Sequence, residues 1–334
     1  PADYWISGNN GSNLWQQVLF QNDPDHPEIT HEWEVDSHTR KAIEYLTQHR
    51  DPTKPFACFV SINVPHPGLE HDADGNVVRP NVNVAPSKWE KPYRHLKDTG
   101  RLNFIGDEAT FVDGYYGAVS SLDNCFGQLI QTLKDIGEYD NTVIVYASDH
   151  GDLVGSHGHH AKSVWYEESI GIPLMIGWPG RVQASSQDML FSNVHLMPTL
   201  LGLMQLKVPD SVDGTDFSSL LFGQTVDEPV EEPIAMLPTV NRVSDADYSN
   251  IEIIPLAPNT SPSWWGEWRG LRTTQYTYAI QFHEGEVRRH LYDNHADPYQ
   301  MNRIHNKSLF AEFDKRVQRW LHPEDPFPNW VGWR

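Results

Sequence analysis

Cysteine is nearly absent from this chain, which carries two in 334 residues, Cys58 and Cys125. One lies in the apolar run FACFVSI and the other in a stretch with helical spacing. No disulfide framework is expected, and both read as core residues. Long apolar runs are also missing: none approaches the ~20 residues that span a bilayer. The opening PADYWISGNN has neither the basic start nor the apolar stretch of a signal peptide. Positive charge is scarce, with 25 Lys and Arg against 45 Asp and Glu and a formal net charge of -20. That balance argues against nucleic acid or an anionic membrane as partner, and it repels a polysulfated polymer at long range unless a local basic patch overrides it. The one dense basic run, Lys88, Lys91, Arg94, His95 and Lys97, reads as a solvated face. Between residues 210 and 257, ten acidic residues stand against Arg242 alone, and the stretch reads as loop and linker. Neither an internal repeat nor a coiled-coil pattern is present.

What the chain does have is ordinary globular composition, 39% hydrophobic with 12 Trp, 13 Tyr and 13 Phe, enough for one large core and a smaller one. Asp23, Asp25, Glu28 and Glu32 read as a solvated loop. Asp36 or Ser37 can cap a helix to about Arg50, with Ala42, Ile43 and Leu46 inward. Asp51-Pro52 ends it, and Pro55 admits a buried strand over 56–62. Residues 70–106 lack a clear period and read as a long excursion over a functional face. Apolar residues then recur at helical spacing over 107–136, and Gly137 stops that helix. Strands at 143–146 and 173–176, a helix at 194–204, a strand-rich pattern after 230 and a helix at 309–320 complete the pass. Strands alternating with helices predict an α/β fold with a largely parallel (mixed) sheet flanked by helices.

The chemistry concentrates in residues 142–180, TVIVYASDHGDLVGSHGHHAKSVWYEESIGIPLMIGWPG. Polar groups at the carboxyl end of a strand are where α/β sheets keep ligands. Asp149 and His150 are adjacent metal-ligand types followed by Gly151, which permits a tight turn. Lys162 can return a positive charge to the same crevice. A carboxylate, an imidazole and an ammonium together suit a metal-bound anion such as a sulfate or phosphate ester. An Asp at a strand end is by itself more often a turn residue, and a lone Lys more often solvated.

The run SDHGDLVGSHG, Lys162, YEES and IPLMI followed by Trp178-Pro179-Gly180 resembles the metal and anion segment of sulfatases, within the alkaline-phosphatase-like superfamily. PFACFVSINVPHPG resembles the family's strand and Pro-His loop, and YYGAVSSLDNCFGQLIQTLKDIGEYDNT the long helix before the metal strand. WRGLRTTQYTYAI and LYDNHADPYQMNRI resemble the closing strands of a smaller C-terminal antiparallel-sheet subdomain. The resemblance implies a sulfatase α/β domain over 1–229 and that subdomain over 230–334. It implies that Asp149 and His150 bind a divalent cation, calcium first. An imidazole ligand keeps manganese, magnesium and zinc open, since purely oxygen shells suit calcium better. Lys162 and His66 are implied as catalytic and substrate-binding groups, Lys162 on the ester oxygens and His66 aiding the leaving alcohol. His157, in the Gly-Ser-His-Gly turn, is implied to shape the loop or line the pocket. His159 and His160 are candidate substrate contacts; a separate zinc site there is the lesser reading, as no cysteine accompanies them. Trp165, Trp178, Trp264, Trp265 and Trp268 read as core or subdomain contacts ahead of sugar platforms.

Against the family pattern, two features are missing. The Cys- or Ser-x-Pro-x-Arg motif that yields formylglycine occurs nowhere, and neither does an Asp-Asp metal pair. The expectation is therefore a sulfuric ester hydrolase lacking its first strand and nucleophile helix, inactive as it stands. A second chain or a homodimer is expected to cover the exposed sheet. The alternatives are a phosphonate or phosphate monoester hydrolase of the same superfamily, and an inactive fragment serving as a binding or structural module. The resemblance implies a small-molecule or carbohydrate sulfate ester as substrate, and a secreted or periplasmic protein.

Overall fold

The computed structural model describes residues 4–8, 14–23, 25–71, 77–96, 100, 102–105, 109–159, 162–236, 267–283 and 286–321. These fall into two compact units, the first within 1–144, 154–161 and 178–180, the second within 145–153, 162–177 and 181–334.

The first unit opens with an antiparallel sheet, β1 (Ile6–Gly8), β2 (Gln17–Gln21) and β3 (Pro27–Thr30), in that order. It corrects the reading of the acidic segment as a solvated loop at Glu28 alone, since Asp23, Asp25 and Glu32 lie outside its strands. Glu28 lies in β3 with its carboxylate 2.8 Å from Lys41 Nζ, and Glu32 pairs with Arg40 at 3.2 Å. Helix α1 (Glu34–Glu44) follows and passes through a π turn, Tyr45–His49. It starts ahead of both expected caps. Ser37 is fully buried, and its hydroxyl donates to Gln17 Oε1 on β2 at 3.1 Å. A tertiary hydrogen bond takes the side chain that local rules assign to a cap.

Residues 56–62 form no strand, which corrects a second expectation: Phe59 is 95% exposed and Cys58 is exposed too. An apolar run becomes a buried strand only where a neighbour takes up its N–H and C=O groups, and none of the described strands pairs with this one. Cys125 is the core residue expected, 2% exposed. The excursion after residue 67 contains a hairpin, β4 (Gly68–His71) with β5 (Val77–Val82), and a short helix, α2 (Ser87–Glu90).

Helix α3 (Ala109–Asp135), 27 residues and so about 40 Å long, is the spine of this unit. Gly137 ends it at φ +76°, as its position predicts. Ala118 and Cys125 on its inner face join Leu14, Trp33, Val35, Val64, Val84 and Ala85 in one buried cluster. Gly114 and Gly117 let backbone pack directly on that face. A Cβ at Gly114 would stand 1.8 Å from the Asn83 carbonyl oxygen, and one at Gly117 3.0 Å from the Glu90 nitrogen.

The second unit pairs β6 (Ile144–Ala147) with β7 (Leu174–Gly177) and carries α4 (Glu167–Ile170), α5 (Leu196–Leu203) and α6 (Ser218–Leu221). Beyond residue 230 lies the antiparallel sheet expected there. Its order is β11-β10-β9-β8, from β8 (Glu232–Met236), β9 (Glu267–Arg272), β10 (Tyr276–His283) and β11 (Glu286–Asp293). Side chains alternate across its two faces. Tyr278, Ile280, Leu271 and Leu291 pack on Phe313 and Val317 of α7 (Lys307–Gln318). Ala279 and Tyr292 face the other way, onto Trp165 and Trp268. Both tryptophans are core, as expected; Trp264 and Trp265 lie outside the described residues. Asn306 caps α7, its Oδ1 accepting the N–H groups of Ser308 and Leu309. The fold is mixed α/β. Every pair of strands with a defined register is antiparallel, so parallel character in the main sheet remains an expectation. No helix among the described residues is long and apolar enough to cross a membrane.

Candidate functional site

The residues after β6 form the best-defined candidate. Ala147 ends the strand, and Ser148, Asp149, His150 and Gly151 make the turn, closed by Ser148 Oγ donating to the His150 carbonyl at 3.0 Å. Gly151 has a packing reason to be glycine. Its N–H donates to Ser169 O at 2.9 Å, and a Cβ there would lie 2.1 Å from the Glu168 carbonyl oxygen. The His150 N–H donates to Asp149 Oδ1 at 2.9 Å, which turns the carboxylate back over the turn. His150 Nδ1 lies 2.8 Å from Gly151 O, so that nitrogen carries the proton and Nε2 presents its lone pair. Nε2 and Asp149 Oδ2 stand 3.6 Å apart. An oxygen and an imidazole nitrogen at that spacing can both reach one cation at the ~2.0–2.5 Å of metal–ligand bonds. The Asp149 side chain is 86% exposed and that of His150 34%, so the pair is open to an ion from solvent.

Asn193, which sequence reasoning missed, donates from Nδ2 to the Asp149 carbonyl at 3.3 Å and steadies the turn from 44 residues away. Nothing in its local sequence marks it. Lys162 is half-buried in the same compact unit as Asp149 and His150. His66 and His157 belong to the other unit.

His66 is exposed, and its ring repeats the arrangement of His150: Nδ1 donates to the carbonyl of the next residue, Pro67, at 2.8 Å. The Val64–Pro65 peptide before it is cis, and the His66 N–H donates to Asn63 O at 2.8 Å. His157 sits at φ +55° in a loop tied to residues 103–105. Its N–H donates to Asn103 O at 2.7 Å, and its Nε2 accepts from Asn103 Nδ2 at 3.0 Å. These bonds tie His157 into its loop. His159 is exposed, and His160 lies outside the described residues.

Residues 2–206 match the family model described as Sulfatase. The chain belongs to the sulfatase family. It is similar to an endo-4-O-sulfatase of Bacteroides thetaiotaomicron, 27% identical over 358 residues, covering 97% of this chain and 63% of the relative. It also resembles an ulvan-active sulfatase of Formosa agariphila, 27% identical, with 96% of this chain and 57% of that protein covered. A crystal structure from Bacteroides fragilis, assigned as a sulfatase, superposes with a TM-score of 0.78 at 26% identity, over 98% of this chain and 68% of that one. The chain thus spans about three fifths of the length of these curated relatives.

Sulfatases as a family use a divalent cation, and Asp149 with His150 fits part of such a shell. Among the described residues no cluster of three or more His, Cys, Asp or Glu could complete it. Formylglycine does not fit. Of the cysteines that could be its precursor, Cys125 is buried within α3, and neither it nor Cys58 has the Pro and Arg spacing.

Proposed function

We propose that this chain forms one wall of a sulfuric ester hydrolase site acting on a sulfated saccharide. The observation that carries the reading is the turn after β6, where the Asp149 carboxylate and the His150 lone pair converge at 3.6 Å. When bound there, a divalent cation would act as a Lewis acid on the ester oxygens, calcium being the first choice and manganese, magnesium or zinc the alternatives. Asp149 and His150 are its ligands. Lys162 provides a point charge for the equatorial ester oxygens, which gain negative charge in the transition state. His66 hands a proton to the leaving alcohol from Nε2, which requires its imidazolium form because Nδ1–H is already committed to Pro67 O. His157 shapes the pocket wall. The sulfatase α/β domain is residues 1–229, with β6 and β7 in its parallel sheet, and 230–334 form the C-terminal subdomain. The saccharide class rests on the relatives, an endo-4-O-sulfatase and an ulvan-active sulfatase.

Two measurements test the reading. Calorimetric titration of the chain with calcium and with manganese should show a cation site that weakens at least about tenfold in Asp149→Ala and in His150→Ala; unchanged affinity in both variants would refute the ligand assignment. The same polypeptide, supplied with a formylglycine-bearing segment, should release sulfate from 4-O-sulfated saccharides, followed by ion chromatography. Faster turnover of a phosphonate monoester would shift the assignment to that chemistry. Sulfate release by these 334 residues alone would show that a nucleophile has been overlooked.

A further inference from the structure

We propose that Glu34 and Asn83 are positioning residues for His66, a buried acceptor and a buried donor that grip the two sides of its turn; the proposal rests on the reading that His66 faces the ester. The His66 ring is exposed, but the chain that carries it is held from below. On the incoming side, Glu34 Oε1 accepts the Asn63 N–H at 3.1 Å. On the same side Val64, 4% exposed, plugs into the core cluster beside Trp33 and Val35. On the outgoing side, Asn83 Nδ2 donates to the Pro65 carbonyl at 2.8 Å. Glu34 and Asn83 are themselves only 3% and 4% exposed.

A carboxylate buried this far is costly, since desolvation penalises its charge before hydrogen bonds offset it. Burial accordingly pushes the Glu34 carboxyl above the usual range, against the opposing pull of the Asn63 and Val64 N–H groups and His38. Its second oxygen, Oε2, has no hydrogen-bond partner among the described residues. An apolar residue would fill the same space more cheaply, so stability alone does not account for a glutamate here. Its geometry accounts for one. The Glu34 N–H donates to Leu14 O at 2.8 Å, and its carbonyl accepts from His38 Nδ1 at 3.0 Å. The neighbouring Trp33 indole N–H donates to Ser121 Oγ on α3 at 3.1 Å. The Asn83 backbone is fixed from the other direction, its carbonyl seated against Gly114 of the same helix. Groups with so little freedom can hold an exposed imidazole in one place without touching the substrate.

The test reads the ring directly in protein labelled with ¹⁵N-histidine. Wild-type His66 should show the Nδ1–H tautomer, and the Asn63 amide should be protected from hydrogen exchange. In Glu34→Ala, with the remaining fingerprint intact, the tautomer signature should give way to a mixture and Asn63 exchange should accelerate at least tenfold. Glu34→Gln, which keeps an acceptor, should restore both. Should Glu34→Ala fail to fold, Asn83→Ala asks the same question from the other side and should also mix the tautomers. A wild-type His66 signature in a folded Glu34→Ala or in Asn83→Ala would overturn the proposal, as would a Glu34→Gln protein as disturbed as Glu34→Ala. The underlying reading is judged separately: titration with 4-nitrophenyl sulfate that leaves wild-type His66 unmoved overturns its ester role, whatever the variants show.

Discussion

Helix α3 holds two glycines for which opposite outcomes are expected from one substitution. At Gly114 an added Cβ would meet the Asn83 carbonyl oxygen at 1.8 Å. An unstrained C···O approach is about 3.3 Å, so helix and chain must part by about 1.5 Å. The neighbour cannot swing aside, because the obstructing atom is backbone and the Asn83 side chain is tied to Pro65 O. Overpacking costs about 1–3 kcal/mol where a core can yield; with backbone on both sides Gly114→Ala should reach or exceed about 3 kcal/mol. At Gly127, in the same helix, a new Cβ meets nothing within 4 Å. There only intrinsic preference acts, and Gly127→Ala should stabilise by about 0.5–1 kcal/mol. Urea denaturation followed by circular dichroism would measure both, with thermal midpoints moving by about 2–4 °C per kcal/mol. A Gly114→Ala protein within about 0.5 kcal/mol of wild type would refute the reasoning, for it would mean that α3 and residues 83–84 are not in contact as described.

Three other outcomes are expected. His290, 9% exposed and with its ring centroid 3.9 Å from that of Trp165, has its pKa pushed down to about 3 by burial, then by Arg303 and Arg288. The unfolded chain takes up that proton near pH 6.5 and the folded one does not, so this contribution is complete above about pH 6.5 and is lost as pH falls towards about 3, at up to about 1.4 kcal/mol per pH unit. His290→Gln should flatten the acid limb of a stability profile, and an unchanged limb would contradict the account. In the C-terminal sheet, Asp314 accepts from the Tyr278 hydroxyl at 2.6 Å and from Arg289 Nη2 at 3.0 Å. Asp314→Ala should cost about 2–4 kcal/mol and Tyr278→Phe about 1; strict additivity in the double variant would deny the coupling. Native-state titration with an aromatic disulfide should label Cys58, which is exposed, and spare Cys125, which is 2% exposed; two rapidly reacting thiols would contradict the burial of Cys125.

Local pattern alone made α3 and its stop at Gly137 legible, because a helix satisfies its own hydrogen bonds and records its buried face as a period. The helix at Lys307–Gln318 followed for the same reason, and the strand-rich segment after residue 230 from runs of β-branched and aromatic residues. The Asp149-His150-Gly151 turn was legible because its residue types stand together and the bonds that shape it internally, from Ser148 Oγ to His150 O and from His150 Nδ1 to Gly151 O, lie within a few residues. Other features needed partners far along the chain. The sheet β1-β2-β3 was hidden behind acidic residues whose cations, Lys41 and Arg40, come from the next helix. Residues 56–62 looked buried because apolarity was all the sequence showed, and whether such a run is covered depends on a neighbouring strand. Asn193 behind Asp149, Asn103 behind His157, and Glu34 and Asn83 beneath His66 act by one or two hydrogen bonds each, across 18 to 54 residues. A single bond of that kind leaves no period or spacing in the chain. The sequence by itself determined which side chains carry the chemistry of the candidate site; the tertiary structure decided how firmly each is held, because the groups that hold them become neighbours only on folding.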